Sequence, residues 1–300
     1  MNIAIFHSDT NKTMARTIGS MIGVHASNVM YHELERVSDR FFCRNPASLF
    51  ENTSHALFLF TPEEDAIPSF VFYAGYCLGR GIRVIMIESD PRFPVPENFR
   101  QFGVMLKPEL IAEYIVAEKE RYQAEAKRKR ARKELLDRGI SCFEENFVFV
   151  VNAGNSEAVE LFLEAGFSPS MVDARGVSLL SIAVRAQLPD IASRLIAAGA
   201  DVDRQSDDRG YSPLMDAAQK GDPVMLSLLL SAGAKPDLRS KDGQTALIIC
   251  AGRGDVAMSK LLIEAGADPE IKDHLGMSAA RYASLFGNAD LTALFNTPPA

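Results

Sequence analysis

The sequence predicts a molecule in two parts joined by a charged helix: an α/β domain on a parallel sheet, then an all-α solenoid of stacked helix pairs. Three observations carry this. In the first third, the apolar runs "NIAIFHS", "ALFLFTP" and "IRVIMIE" alternate with helical segments. Strands that are apolar along their whole length belong to parallel sheets covered on both faces. In the second half, three glycine series recur at spacings of 33 or 34 residues: Gly166, Gly199, Gly233 and Gly266; Gly176, Gly210, Gly243 and Gly276; Gly221, Gly254 and Gly287. Interleaved series with one period mark a repeat architecture. Between the halves, Pro108 suits a first helical turn, Gly139 suits a stop, and no helix breaker lies between them.

The bulk numbers bound the function. Three hundred residues, 47% hydrophobic and 24% charged, suit two globular units, each able to bury a core. A net charge of −7 gives no global attraction for nucleic acid or an acidic membrane. The start "MNIAIFHSD" has no basic leader pattern, and the apolar run from Ala66 to Gly79 is too short for a bilayer span. Cys43, Cys77, Cys142 and Cys250 stand singly, as reduced thiols do, without zinc spacing. A cytoplasmic protein without metal or cofactor is expected.

Residues 1–107 hold the α/β domain. After the first strand, "NKTMARTIGSMIG" is amphipathic, with Met14, Ile18, Met21 and Ile22 on one face. "NVMYHEL" reads as a second strand and "VMLKP" as a short fifth. Ligands of such sheets bind beyond the carboxyl ends of the strands. Here those ends supply His7, Ser8 and Asp9, then Thr61, Glu64 and Asp65, then Glu88. These residues, with Tyr73, form a candidate nucleotide pocket, although no glycine-rich phosphate loop follows the first strand. The stretch "SHALFLFTPEEDAIPSFVFYAGYCLGRGIRVIMIE" resembles the flavodoxin-like Toll/interleukin-receptor (TIR) domain and the nucleoside deoxyribosyltransferases. The resemblance implies a Glu, on the helix after the third strand, that takes part in cleaving an N-glycosidic bond. In Phe72-Tyr73-Ala74-Gly75-Tyr76-Cys77, Tyr73 stands at that place. A carboxylate can stabilise an oxocarbenium-like centre or add to it; a phenol of pKa near ~10 does either poorly. No catalytic residue is therefore assigned.

Residues 108–140 form the connector. Leu110, Ile111, Tyr114 and Ile115 are expected to pack on the first domain. The run "KRKRARK", residues 127–133, fits a solvated helix face better than a nucleic-acid site, because no aromatic residues interleave it.

Residues 141–300 hold about five repeats, near 143–172, 173–205, 207–239, 240–272 and 273–296. In "YSPLMDAAQKGD", Ser212 is the expected N-cap, Pro213 the first helical residue and Gly221 the left-handed stop. Asp222-Pro223 opens the next helix. The second unit has Gln187-Leu188 where others have Gly, so its inter-helix turn is expected to be less ideal. "GYSPLMDAAQKGD", "GQTALIICAGRGD" and the "AGAD" ends resemble the ankyrin repeat. That resemblance implies protein binding through a concave face of hairpin tips and first helices. Carried onto this chain, the face comprises Arg175, Val177, Arg185, Arg209, Tyr211, Gln219, Lys220, Lys241, Gln244, Arg253, His274 and Met277, with Tyr211 and Met277 as anchors. Its basic bias points to an acidic protein partner. The expected function is a non-enzymatic scaffold. The alternatives are an N-glycosidic-bond enzyme, either a NAD hydrolase or deoxyribosyltransferase-like, delivered by its repeats, and TIR-like self-assembly through the first domain.

Overall fold

Side chains alternate across a strand, so an all-apolar strand must be covered on both sides. In the computed structural model, which describes residues 1–33, 47, 50–60, 67–88, 95 and 97–296, this requirement is met. The chain divides into two compact units, Met1–Ala126 and Lys127–Ala300.

The first unit contains β1 (Asn2–His7), α1 (Lys12–Ile22), β2 (Asn28–Glu33), β3 (His55–Phe60), α2 (Ile67–Gly79), β4 (Arg83–Glu88), β5 (Val104–Leu106) and the first part of α3 (Ile111–Asp137). All strand pairs are parallel, in the order β2-β1-β3-β4-β5. One face carries Ala4, Phe6, Phe58 and Met86 under Phe70, Ala74 and Cys77 of α2. The other carries Ile3, Ile5, Leu57 and Ile85 under Ile18 and Ile22 of α1 and Ile111 and Ile115 of α3. Two expected core residues are instead exposed. Met21 gives way to Ala15 on the buried face of α1, and Leu110 lies in the turn before α3.

A charged cluster interrupts this apolar packing. The Glu118 carboxylate on α3 is 1% exposed and accepts from Arg83 at the start of β4 and from His55 Nε2 at 3.2 Å. Arg83 also donates to Glu125 at 2.8 Å. Burial pushes the His55 imidazole below its ordinary pKa, against the opposing pull of Glu118.

The second unit has five helix pairs among its described residues. They are α4 (Glu144–Asn152) with α5 (Ser156–Glu164), α6 (Leu179–Arg185) with α7 (Pro189–Ala197), and α8 (Pro213–Lys220) with α9 (Pro223–Ser231). Then come α10 (Ala246–Arg253) with α11 (Val256–Glu264), and α12 (Ala279–Leu285) with α13 (Ala289–Phe295). Ser178, Ser212, Thr245 and Ser278 cap first helices by accepting the amide three residues on. Asn155, Asp222, Asp255 and Asn288 do the same for second helices. Each such cap is worth about 1 kcal/mol. One apolar core runs through all five pairs, from the stacked Phe147 and Phe162 rings to Leu291, and takes in Ala131 and Leu135 of α3. The basic run on α3 thus has a buried residue within it. Lys127 pairs with Glu164 at 3.1 Å.

Gly221 and Gly254 end first helices with φ of 68° and 73°. In the second pair the equivalent residue is Gln187, held at φ 57°, and Leu188 offers α7 no side-chain cap. A side chain in the left-handed region costs roughly 1–2 kcal/mol. Gln187→Gly is therefore expected to raise unfolding free energy by about 1 kcal/mol in urea titration; an unchanged or lower midpoint would contradict this account.

Candidate functional site

The second to fifth repeats open with a hairpin tip where one side chain gathers amides. Asp173 accepts from Arg175 and Val177, both at 2.9 Å, and Asp273 accepts from Leu275 and Met277 at the same distance. Ser206 accepts from Tyr211, and Ser240 from Asp242 and Gln244. Neighbouring tips are then joined. The Lys241 amide donates to the Arg209 carbonyl at 3.0 Å and that of His274 to Asp242 at 2.9 Å. Gln205 Nε2 donates to the carbonyls of Gly210 and Arg239, both at 2.7 Å. The Arg239 guanidinium reaches the Lys272 carbonyl at 2.9 Å. The tips of the third, fourth and fifth units are thus fixed to one another by backbone and side-chain hydrogen bonds.

Along the row of expected contact residues, Arg175, Arg209, Gln219, Lys220, Lys241, Arg253 and His274 are exposed, and Arg185, Gln244 and Met277 are partly so. Two expected contact residues are corrected. Val177 is fully buried, and Tyr211 is 6% exposed with its hydroxyl donating to Gln244 at 3.2 Å. Both follow a tip and turn into the core, as an apolar residue before a capped helix does. Arg209 covers the Tyr211 ring, its Cζ 4.4 Å from the centroid, so the arginine and not the ring faces outward.

The residue that organises the centre of the row escaped the sequence reading. Asp216 is 1% exposed in α8, with Arg185 Nε at 2.9 Å and Arg209 Nη2 at 3.4 Å. Arg185 also reaches Asp208 at 3.2 Å. Burial pushes the Asp216 carboxyl above the usual range, against the pull of both arginines. For Asp208, hydrogen bonds from Ser206, the Arg209 amide and Arg185 outweigh burial and hold the carboxyl low. Asp173 is also held low, by the Val177 and Arg175 amides, which outweigh burial there. The signal was present: in the other units the position of Asp216 is held by Phe149, Ile182, Ile249 and Tyr282.

In the first unit, Thr61, Glu64 and Asp65 of the candidate pocket lie outside the described residues, as does the side chain of Asp9. His7 and Ser8 are buried at the end of β1, with His7 Nδ1 donating to the Ser8 carbonyl at 3.0 Å. Glu88 ends β4, and β3 runs between it and His7. Tyr73 packs in an aromatic cluster, 5.8 Å from Phe6 and 6.0 Å from Phe50. Tyr73 thus lies against the sheet face that carries Phe6. Among the described residues, no group of three or more His, Cys, Asp or Glu could hold a metal ion. None of the described helices is long and apolar enough to cross a membrane. Burial pushes the Cys77 and Cys250 thiols up to about 12.

Removing one partner of a buried ion pair leaves the other uncompensated. Asp216→Ala is expected to lower unfolding free energy by about 3 kcal/mol, with Asp208 still facing Arg185. The carboxyls carry opposite pH signs. The folded pKa values of Asp173 and Asp208 lie below 3.8, so their stabilisation is present above that pH and is lost as pH falls through the lowered values. The folded pKa of Asp216 lies above 3.8, so its ionisation as pH rises weakens the folded state. Carboxyl NMR titration should find Asp216 above, and Asp173 and Asp208 below, the ordinary aspartate value.

The comparisons agree with this architecture. The family described as "Ankyrin repeats (3 copies)" matches residues 147–240 and 214–296. A protein of Treponema pallidum (strain Nichols), named for its ankyrin repeats, is 39% identical over 295 residues, covering 98% of this chain and 99% of its own. Its likeness thus extends through the α/β unit as well. On the repeat core, the joined hairpin tips and these two matches, the chain belongs to the ankyrin-repeat family.

Proposed function

We propose that this chain is a non-enzymatic adaptor that grips an acidic protein segment along the concave row of its hairpin tips and first helices. Ankyrin repeats serve protein–protein interaction. The observation that carries the finer reading is the row itself: Arg175, Arg209 and Lys241 are exposed on hairpin tips, the latter two on tips fixed to each other, and Lys220 and Arg253 are exposed at the ends of α8 and α10. Preorganised loops lose little freedom on binding, and a row of cations on a chain of net charge −7 discriminates by sign of charge.

The test is capture from lysate by the immobilised full chain, with wild type compared against Lys220→Glu/Lys241→Glu, which spares Arg209 because it pairs with the buried Asp216. Tyr211 is left in place because it is buried. We expect the variant to fold, to lose the captured proteins, and wild-type capture to weaken as salt screens the row. Unchanged capture by the variant would remove this face from the reading.

For the first unit, we propose a TIR-like shape that retains the fold of a nucleotide-handling domain without its acid. Support comes from Tyr73, the residue at the Glu position, packing against Phe6 and Phe50. Incubation with NAD or with deoxynucleosides, followed by chromatography, should give no product above a protein-free control. A product that depended on Tyr73 or Glu64 would reverse this assignment and make the chain an enzyme.

A further inference from the structure

Gly252 has no role in the fold that accounts for it. Every other glycine from Gly139 onward sits at positive φ, where L side chains are strained. Gly252 lies inside α10 with ordinary helical geometry, where Gly is among the poorest residues for a helix. An added Cβ there would meet nothing within 4 Å. In the other units the same position carries Asn152, Arg185, Gln219 and Leu285. Only the fourth unit omits the side chain, and the omission opens a recess of about 230 Å³ in the partner-facing row.

The recess mixes apolar and polar lining: Ile248 and Ile249, the rings of Tyr282 and Phe286 with centroids 6.0 Å apart, and Gln219 and Arg253. Phe286 is 60% exposed and so presents a ring face at the mouth of the recess. No carboxylate lines the recess. Arg253 is held in place by donating to the Gln219 carbonyl at 2.9 Å, which leaves further N–H groups of its guanidinium for an acceptor. Lys220, at the position of Arg253 one unit earlier, is also exposed. The volume is below the ~300–1,000 Å³ typical of small-molecule pockets and suits one large side chain.

We infer that this recess is the anchor point of the row: it takes a single aromatic or large aliphatic side chain of a partner polypeptide, with a carboxylate a residue or two away bound by Arg253. Apolar contact fixes the register of the partner, and the flanking cations select for acid. The inference rests on the adaptor reading above and adds which partner sequence the face selects.

The full-length protein is panned against a displayed library of short random peptides, and the enriched peptides are synthesised with a fluorescent label. Enriched sequences should share an aromatic or large aliphatic residue with Asp or Glu close by. Gly252→Leu fills the recess with a better helix former, the residue that the fifth unit carries at the same position, and Gly252→Gln copies the third unit. Circular dichroism should show both variants as folded as wild type. Binding of the peptides should fall about tenfold or more in both. Replacing the peptide's anchor residue by Ala should produce a similar loss, and the two changes together little further loss. If peptides are weakened by Lys220→Glu/Lys241→Glu but not by filling the recess, the anchor is overturned while the row stands. If they are indifferent to both changes, the anchor and the row both fall. A library that yields no enriched peptide, or peptides without the apolar–acidic pattern, also overturns the anchor.

Discussion

Everything in the carboxy-terminal half depends on shared burial. A pair of short helices has too little apolar surface to close a core by itself, so each pair is complete only when its neighbours cover both sides. Leu214, Leu247 and Ala279, in successive first helices, belong to one continuous core. The hairpin tips obey the same constraint in their hydrogen bonds, since the amides of Lys241 and His274 find acceptors in the preceding unit. A surface built this way is stiff because its loops are structural members. Stiffness suits recognition of an extended partner, which loses its own freedom on binding and gains most from a host that does not.

Both units place an ionised network where apolar packing would have sufficed. Glu118 in the first and Asp216 in the second are almost fully buried carboxylates, the one met by His55, Arg83 and Arg121 and the other by Arg185 and Arg209. Such arrangements seldom stabilise more than well-packed apolar residues of equal volume would. What they do is fix orientation. Asp216 draws Arg185 and Arg209 towards one point, so two cations of the candidate face are positioned from beneath. Glu118 ties α3 to the starts of β3 and β4.

The periodic features of the fold were legible in the sequence because they are local. Ser212, Pro213, Gly221 and Asp222 do in the structure what their residue types do in any helix. Gln187 departed from its series and adopts the left-handed backbone its neighbours give to glycine. The parallel sheet followed from the apolar runs of β1, β3 and β4, although its strand order did not. What escaped was set by partners distant along the chain. His55 and Glu118 are 63 residues apart, and nothing in "SHALFLF" announces a buried imidazole facing a carboxylate. Val177 and Tyr211 looked like loop residues because they follow a tip glycine, yet their direction is decided by the adjoining unit. Asp216 and Gly252 could be read only by aligning the repeats and asking which residue breaks its column.

The helix α3 has a consequence for how such chains could be shuffled in evolution. Its charged composition looks like a spacer, but it lends residues to two interiors: Ile111 and Ile115 to the sheet, Ala131 and Leu135 to the repeats. A graft joined at Gly139 would transfer the repeats without the lid over their first pair, and one joined at Pro108 would strip the sheet of half its cover on one side. The seam at which halves can be exchanged intact lies within the helix, where Ala126 meets Lys127.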